Sequence, residues 1–180
     1  SGRLISEENA DPDDEKLRLV TGFNDIFVTI GIVMFLGALG YILGAGPIAC
    51  GAVAAAAWGL AEFFTRRKRL ALPSIVLLVA FVGAVFIGVL SMGSGPLGMA
   101  PGRTLLAGTA ASIAAVFHWK RFHVPITVAA GAAALVAITL SLRELQAPDS
   151  LADHPAVVFL PLGLAVFGLA MWFDSSDLQR

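Results

Sequence analysis

The sequence predicts an all-α fold, a polytopic transmembrane helical bundle of about six spans with both ends in the cytoplasm. Composition, long apolar runs and the distribution of basic residues predict it. Of the 180 residues, 57% are hydrophobic and 14% are charged, and the mean hydropathy is +0.83. Because a soluble domain carries about a quarter charged residues, this chain has too few to cover a globule. A lipid bilayer is the solvent that suits it.

Residues 1–22 are expected to form an acidic cytoplasmic tail that contains a short interfacial helix. Asp11 can cap this helix, and Pro12 suits its first position because the missing N–H would have no partner there. Gly22 is expected to end the helix, and Asn24 to cap the first span. In an equally acceptable interpretation, the same segment is the solvated beginning of the first span.

Residues 23–174 are predicted to form the transmembrane domain, and residues 175–180 the cytoplasmic C-terminal end. A bilayer core of about 30 Å needs roughly 20 helical residues. The fourth apolar run is short and spans the core only if its helix continues towards Arg103 and Trp119. The runs lack the period-two alternation of barrel strands, which favours helices. The predicted spans are residues 25–43, 47–64, 73–92, 104–117, 125–142 and 155–173.

Basic residues fall almost entirely on one side of this alternating arrangement. Only Arg103 and Arg143 fall on the other side, so the basic side is expected to be cytoplasmic. The topology determinants on the basic side are Arg66, Arg67, Lys68, Arg69, Lys120 and Arg121. The tryptophans expected as interfacial anchors near the same side are Trp58, Trp119 and Trp172.

Two turns on the basic side have similar sequences, KRLALP at 68–73 and KRFHVP at 120–125. A duplicated helical hairpin would explain the similarity, as in many transporter folds. Convergence explains it equally well, because basic residues belong in cytoplasmic loops and proline suits the first turn of a helix. A true repeat would need another basic turn after Arg180, so we expect the chain to be part of a longer protein.

Small residues recur every fourth position on several spans, a spacing that lets helices approach closely. We expect these faces to pack helices within the chain, or against a protein partner or a second copy of the chain. With a net charge of −1, no nucleic-acid partner is expected. The stripes are Gly51, Ala55 and Gly59; Ala80, Ala84 and Gly88; and Ala107, Ala111 and Ala115.

The sequence predicts no catalytic, cofactor-binding or metal-binding residue. Ionisable groups deep in a membrane usually mark function, and Glu62, the nearest candidate, lies close to the basic loop. Glu62 precedes Arg66 by four residues, the favourable order for a helical ion pair. Structural pairing is preferred there to a proton-carrying role. His118 and His123 share a turn but lack the spacing of metal ligands, and we expect them at the surface.

Three segments resemble a family of uncharacterised bacterial inner-membrane proteins: RLVTGFNDIFV at 18–28, FHWKRFHVPITV at 117–128 and WFDSSD at 172–177. The likeness spans most of the chain and is weaker in the N-terminal tail. It implies a multi-pass protein of the bacterial inner membrane. The family has no biochemical role to transfer, so the resemblance implies no site residues. Its members continue past the position of Arg180.

The leading functional hypothesis is a noncatalytic scaffold or an accessory subunit of a larger membrane complex. The alternative is a transporter or permease for a small, weakly polar solute, with a cavity lined by Thr109, Ser112 and Thr139 and by a kink at Pro161. A membrane enzyme ranks third. It would require Glu62, Arg66 and His118 to converge on a cleft at the cytoplasmic surface.

Overall fold

A computed structural model describes residues 12–44, 46–93, 101–124, 126–147 and 155–177. Within these ranges the chain is helical and has no strand, which confirms the all-α prediction. A π-helical turn, Glu62–Arg67, follows the second helix directly. The helices are α1 (Pro12–Leu43), α2 (Pro47–Ala61), α3 (Ala71–Leu90), α4 (Pro101–Phe122), α5 (Thr127–Gln146) and α6 (Pro155–Asp177).

Four helical segments within the described ranges are long and apolar enough to cross a membrane. They belong to α1, to α2 with its π turn, to α3 and to α5, and α6 contains a shorter apolar stretch. This agrees with a membrane protein, as the composition predicts. The segments are Phe23–Leu43, Pro47–Arg67, Ala71–Leu90 and Thr127–Gln146.

The first helix differs from its prediction, because α1 continues through Gly22 without a break and Asn24 lies inside it. A glycine within a helix costs only about 1 kcal/mol relative to alanine. The unbroken ladder of backbone hydrogen bonds on both sides outweighs that cost. The predicted stop at Gly22 and the predicted cap at Asn24 are therefore wrong.

The helices form two hairpins, and α3 lies at the centre of the bundle. α2 packs on α3 and α4 packs on α5, and α3 and α4 join the two hairpins. α1 lies against α2 and α3, whereas α6 makes only a light contact with α5. Leu77 and Leu78, adjacent on α3, are both fully buried and belong to different core clusters. Leu77 packs with residues of α1 and α2, and Leu78 with residues of α4 and α5.

Large apolar side chains cover much of the outer surface. On α1, Phe27 and Met34 are exposed, and on α6 Leu160, Phe167 and Trp172 are exposed. A soluble monomer rarely exposes contiguous apolar surface of this extent. Such a surface suits contact with lipid or with other membrane helices.

Candidate functional site

Basic side chains concentrate at one end of the bundle, which we call the basic end. It consists of the π turn with residues 68–70 and the last turn of α4 with residues 123–124. The six basic residues that predict topology all lie here. Four are in or directly after the π turn, and two are at the end of α4. They are Arg66, Arg67, Lys68, Arg69, Lys120 and Arg121.

Both turns at the basic end contain a residue in the left-handed backbone region. Arg69 and His123 each have φ of 53°. The Leu70 N–H donates to the Phe64 carbonyl over 3.2 Å, and the His123 N–H donates to the Trp119 carbonyl over 2.8 Å. In the ungapped alignment of the two turns, Arg69 pairs with Arg121. The backbone geometry instead matches Arg69 with His123, two residues further along.

Glu62 joins the two turns. Its Oε1 accepts a hydrogen bond from Nε of Arg121 over 2.7 Å, and its Oε2 accepts one from Nη1 of Arg66 over 3.4 Å. The pair with Arg66 is the one expected from the helical spacing, and it is the longer of the two. The pair with Arg121 could not be predicted from helical spacing, because the two residues are 59 positions apart in the sequence.

His118 is fully buried, so the prediction of a surface histidine is wrong. Its ring lies 4.5 Å from the ring centroid of Phe122, 5.9 Å from that of Phe81 and 6.0 Å from that of Trp58. Within the described residues, neither ring nitrogen has a hydrogen-bond partner. The sequence did contain a signal. His118 and Phe122 extend the buried face of α4 at helical spacing from Ala115.

Trp58 packs against aromatic side chains of two other helices. Its ring centroid lies 5.0 Å from that of Phe81 and 5.2 Å from that of Phe122, and the residue is partly buried. It therefore packs α2 against α3 and α4. Trp119 and Trp172 are exposed, as an interfacial position requires.

A cavity of about 400 Å³ lies between the two turns. Two residues of left-handed backbone, Arg69 and His123, lie in its wall. The hydroxyl of Thr65 is buried beside it and has no hydrogen-bond partner in the described part of the chain. The wall includes Thr65, Arg69, Ser74, Ile75, His123 and Ile126.

The three groups of the enzyme hypothesis do not converge on this cavity. Glu62 and Arg66 pair with each other, His118 is enclosed by aromatic rings, and none of the three lines the wall. Among the residues that the structure describes, no group of three His, Cys, Asp or Glu side chains could hold a metal ion.

The hydroxyls of the transporter hypothesis do not form one polar cavity. Each donates to the carbonyl four residues earlier on its own helix: Thr109 over 2.8 Å, and Ser112 and Thr139 over 2.9 Å. Thr139 and Pro161 do line a common cavity of about 430 Å³ between α5 and α6, together with Arg143. Thr109 and Ser112 are not part of that wall.

In comparisons with known proteins, no protein-family model matches the chain, and no curated protein or solved structure matches it either.

Proposed function

We propose that the chain is a noncatalytic integral membrane protein, a scaffold or an accessory subunit of a larger membrane complex. Six helices would cross the bilayer, with the basic end in the cytoplasm. Support for the two additional spans comes from helix length. α4 has 22 residues and α6 has 23, so each is about 33–35 Å long and exceeds the bilayer core of about 30 Å.

The exposed small-residue stripe on α2 carries the proposal. Gly51, Ala55 and Gly59 are all exposed, and a Cβ added at either glycine would meet nothing within 4 Å. A stripe of this kind lets a second helix approach closely, so that van der Waals contacts and weak Cα–H hydrogen bonds can form. Its open position on α2 fits a partner outside the chain.

The other two stripes are already used within the bundle. Ala107, Ala111 and Ala115 are buried between α4 and its neighbours. On α3, a Cβ added at Gly88 would lie 3.1 Å from Cβ of Cys50, so this stripe packs against α2. Two of the three stripes thus serve internal packing, which leaves the α2 stripe for a partner.

Purification in mild detergent, followed by native mass spectrometry, tests the proposal. We expect a stoichiometric partner, or a second copy, that is lost when Gly51 and Gly59 are both replaced by leucine. Gly37→Leu on α1 is the matched control, because Gly37 is also exposed with nothing within 4 Å. A partner-free monomer of the unaltered chain, or equal losses from both variants, would contradict the proposal.

Cysteine crosslinking separates a homo-oligomer from a complex with another protein. With Cys50→Ser removing the native thiol, Ala55→Cys places one thiol on the exposed stripe. A disulfide-linked dimer in isolated membranes would identify a second copy as the partner. Its absence, combined with a co-purifying protein, would identify an accessory subunit.

The alternative proposal is a permease for a small, weakly polar solute. It is favoured by the cavity that Thr139, Arg143 and Pro161 share between α5 and α6. A duplicated hairpin would add support to the permease proposal. The two-residue offset between the turns argues against such a duplication. Flux into liposomes containing the purified chain tests the alternative, and a monomeric preparation that carries no solute would contradict it.

Location in a bacterial inner membrane, with the topology above, is part of the same proposal. In cells, with Cys50→Ser as background, Lys68→Cys should be protected from a membrane-impermeant maleimide and Met92→Cys should react. Both side chains are exposed and lie at opposite ends of α3. The reverse pattern would contradict the proposed orientation.

A further inference from the structure

The cavity between the two turns of the basic end has an amphipathic wall. It combines two residues with basic side chains, Arg69 and His123, with the apolar residues Leu70, Ile75 and Ile126. A wall of this kind suits a ligand that has an anionic head and an apolar body. At about 400 Å³ the cavity has room for a phosphate group and the glycerol attached to it.

The cationic groups at this end are unequally available to a ligand. Arg66 and Arg121 both pair with Glu62, and Lys68 Nζ lies 6.0 Å from the ring centroid of Phe63. Arg69 has no ion-pair partner in the part of the chain that the structure describes, and it lines the cavity. Its guanidinium is therefore available to bind an anion.

The surrounding charge favours an anion as well. Residues 62–70 and 118–124 contain six Lys and Arg residues and a single acidic residue, Glu62. A cleft lined by charges of one sign concentrates counter-ions from solution. Thr65, whose hydroxyl is buried and has no hydrogen-bond partner in the described part of the chain, is a further polar residue of the wall.

The backbone at Arg69 and His123 is also unusual for these residue types. Both have φ of 53°, a conformation that glycine adopts more easily than any residue with a side chain. The fold nevertheless places a guanidinium and an imidazole at these two positions, and both residues lie in the wall of one cavity.

We infer that this cavity binds the phosphate of an anionic phospholipid from the cytoplasmic leaflet. Arg69 and His123 donate hydrogen bonds to the phosphate oxygens, and Leu70, Ile75 and Ile126 contact the glycerol and the first methylene groups. Basic pockets between transmembrane helices bind anionic headgroups in this way, through charge-assisted hydrogen bonds. The inference rests on the transmembrane arrangement proposed above.

Lipid titration of the detergent-purified chain, followed by native mass spectrometry, tests the inference. The probes are dioleoyl phosphatidylglycerol, dioleoyl phosphatidylcholine and glycerol 3-phosphate. We expect retention of phosphatidylglycerol at about one per chain and little retention of phosphatidylcholine. Retention of both lipids equally would overturn the inference. If glycerol 3-phosphate binds as tightly as phosphatidylglycerol, the site is one for a soluble phosphate and not for a lipid.

Two charge-matched variants distinguish a defined site from general attraction to a basic surface. Arg69→Gln removes a cation from the cavity wall, whereas Arg67→Gln removes one from the same turn outside the wall. We expect Arg69→Gln to weaken phosphatidylglycerol binding about tenfold, the effect of one charge-assisted contact, and Arg67→Gln to change it little. Equal effects of the two variants would overturn the inference.

Arg69→Gly distinguishes a specific loss of lipid binding from a loss that comes from misfolding. Glycine suits the left-handed backbone of this position, so the variant should keep or raise the thermal midpoint while it loses the lipid. Unchanged lipid binding in this variant would overturn the inference. Recovery of every variant in the membrane fraction, and not in the soluble one, tests separately whether the chain is a membrane protein.

Discussion

Nε of Arg121 lies 2.7 Å from Oε1 of Glu62, and this ion pair connects the end of the α2–α3 hairpin to the end of α4. Both side chains are partly exposed, 42% for Arg121 and 32% for Glu62. Water and salt therefore screen the attraction. The pair is nevertheless the shortest polar link between the two turns that the structure describes.

A double-mutant cycle measures this link. Glu62→Gln and Arg121→Gln should each lower the thermal midpoint in detergent, and the double variant should lower it by less than the two effects added together. The coupling should shrink at high salt. Arg66→Gln is the control, since its 3.4 Å contact lies within one helical segment and joins no separate elements. Additive effects at every salt concentration would show that the pair contributes nothing to stability.

His118 should be replaceable by phenylalanine with a gain in stability. Its two ring nitrogens lack partners in the described structure, and burying an unpartnered polar group costs about 1–3 kcal/mol. His118→Phe keeps a ring among Trp58, Phe81 and Phe122 and removes that cost. A lower thermal midpoint by circular dichroism would mean instead that the imidazole makes a contact essential to the fold.

Truncating the same residue should have the opposite effect. His118→Ala leaves a cavity among three aromatic rings and should lower the free energy of unfolding by about 2 kcal/mol. Phe117→Ala is the matched control on the adjacent, outward face, where the side chain is 62% exposed. If the two alanine variants behave alike, the aromatic cluster does not hold α2, α3 and α4 together.

Two glycine-to-alanine substitutions should shift the thermal midpoint in opposite directions. A Cβ added at Gly108 would lie 2.9 Å from Cγ1 of Ile138 and 3.3 Å from the carbonyl oxygen of Ala134. Gly108→Ala should therefore separate α4 from α5 and lower the thermal midpoint. Gly59→Ala meets open space and should raise it slightly, because alanine favours the helix by about 1 kcal/mol. Equal shifts would contradict the close approach of α4 and α5.

Core truncation should cost less here than in a soluble protein. Leu77 is fully buried against Ala57 and Ala61. Leu→Ala in a soluble core costs about 2–5 kcal/mol, part of it from transfer to water. In a membrane the unfolded side chain is exposed to lipid and not to water, so the transfer term is absent. Leu77→Ala should therefore cost about 1–2 kcal/mol, from lost packing alone. Val79→Ala, with a 61% exposed side chain on the same helix, should cost far less.

The sequence predicted the helices well because lipid leaves the backbone few alternatives. In the described residues, α2 begins at Pro47, α6 begins at Pro155, and α3 begins two residues before the predicted Pro73. An apolar run that must satisfy its own backbone hydrogen bonds becomes a helix. The break predicted at Gly22 failed because it rested on local propensity, which an uninterrupted ladder overrides.

The basic end was predicted less completely because its contacts join residues far apart in sequence. Arg66 was assigned to Glu62 from spacing, whereas Arg121 was missed. His118 was assigned to the surface because it was expected to lie, with His123, in the turn between the fourth and fifth spans. α4 extends to Phe122, and the extra helical turn carries His118 into the interior. The match between Arg69 and His123 depends on backbone angles that no sequence pattern encodes.

The light contact between α6 and the rest of the bundle has a consequence for any preparation of this protein. The described side chains of α6 are almost all exposed, so what surrounds them decides where the helix sits. If α6 crosses the bilayer as proposed, bilayer thickness, the lateral pressure of the lipid and the length of a detergent tail act on α6 far more directly than on α3. The position of this helix is as much a property of its solvent as of its sequence.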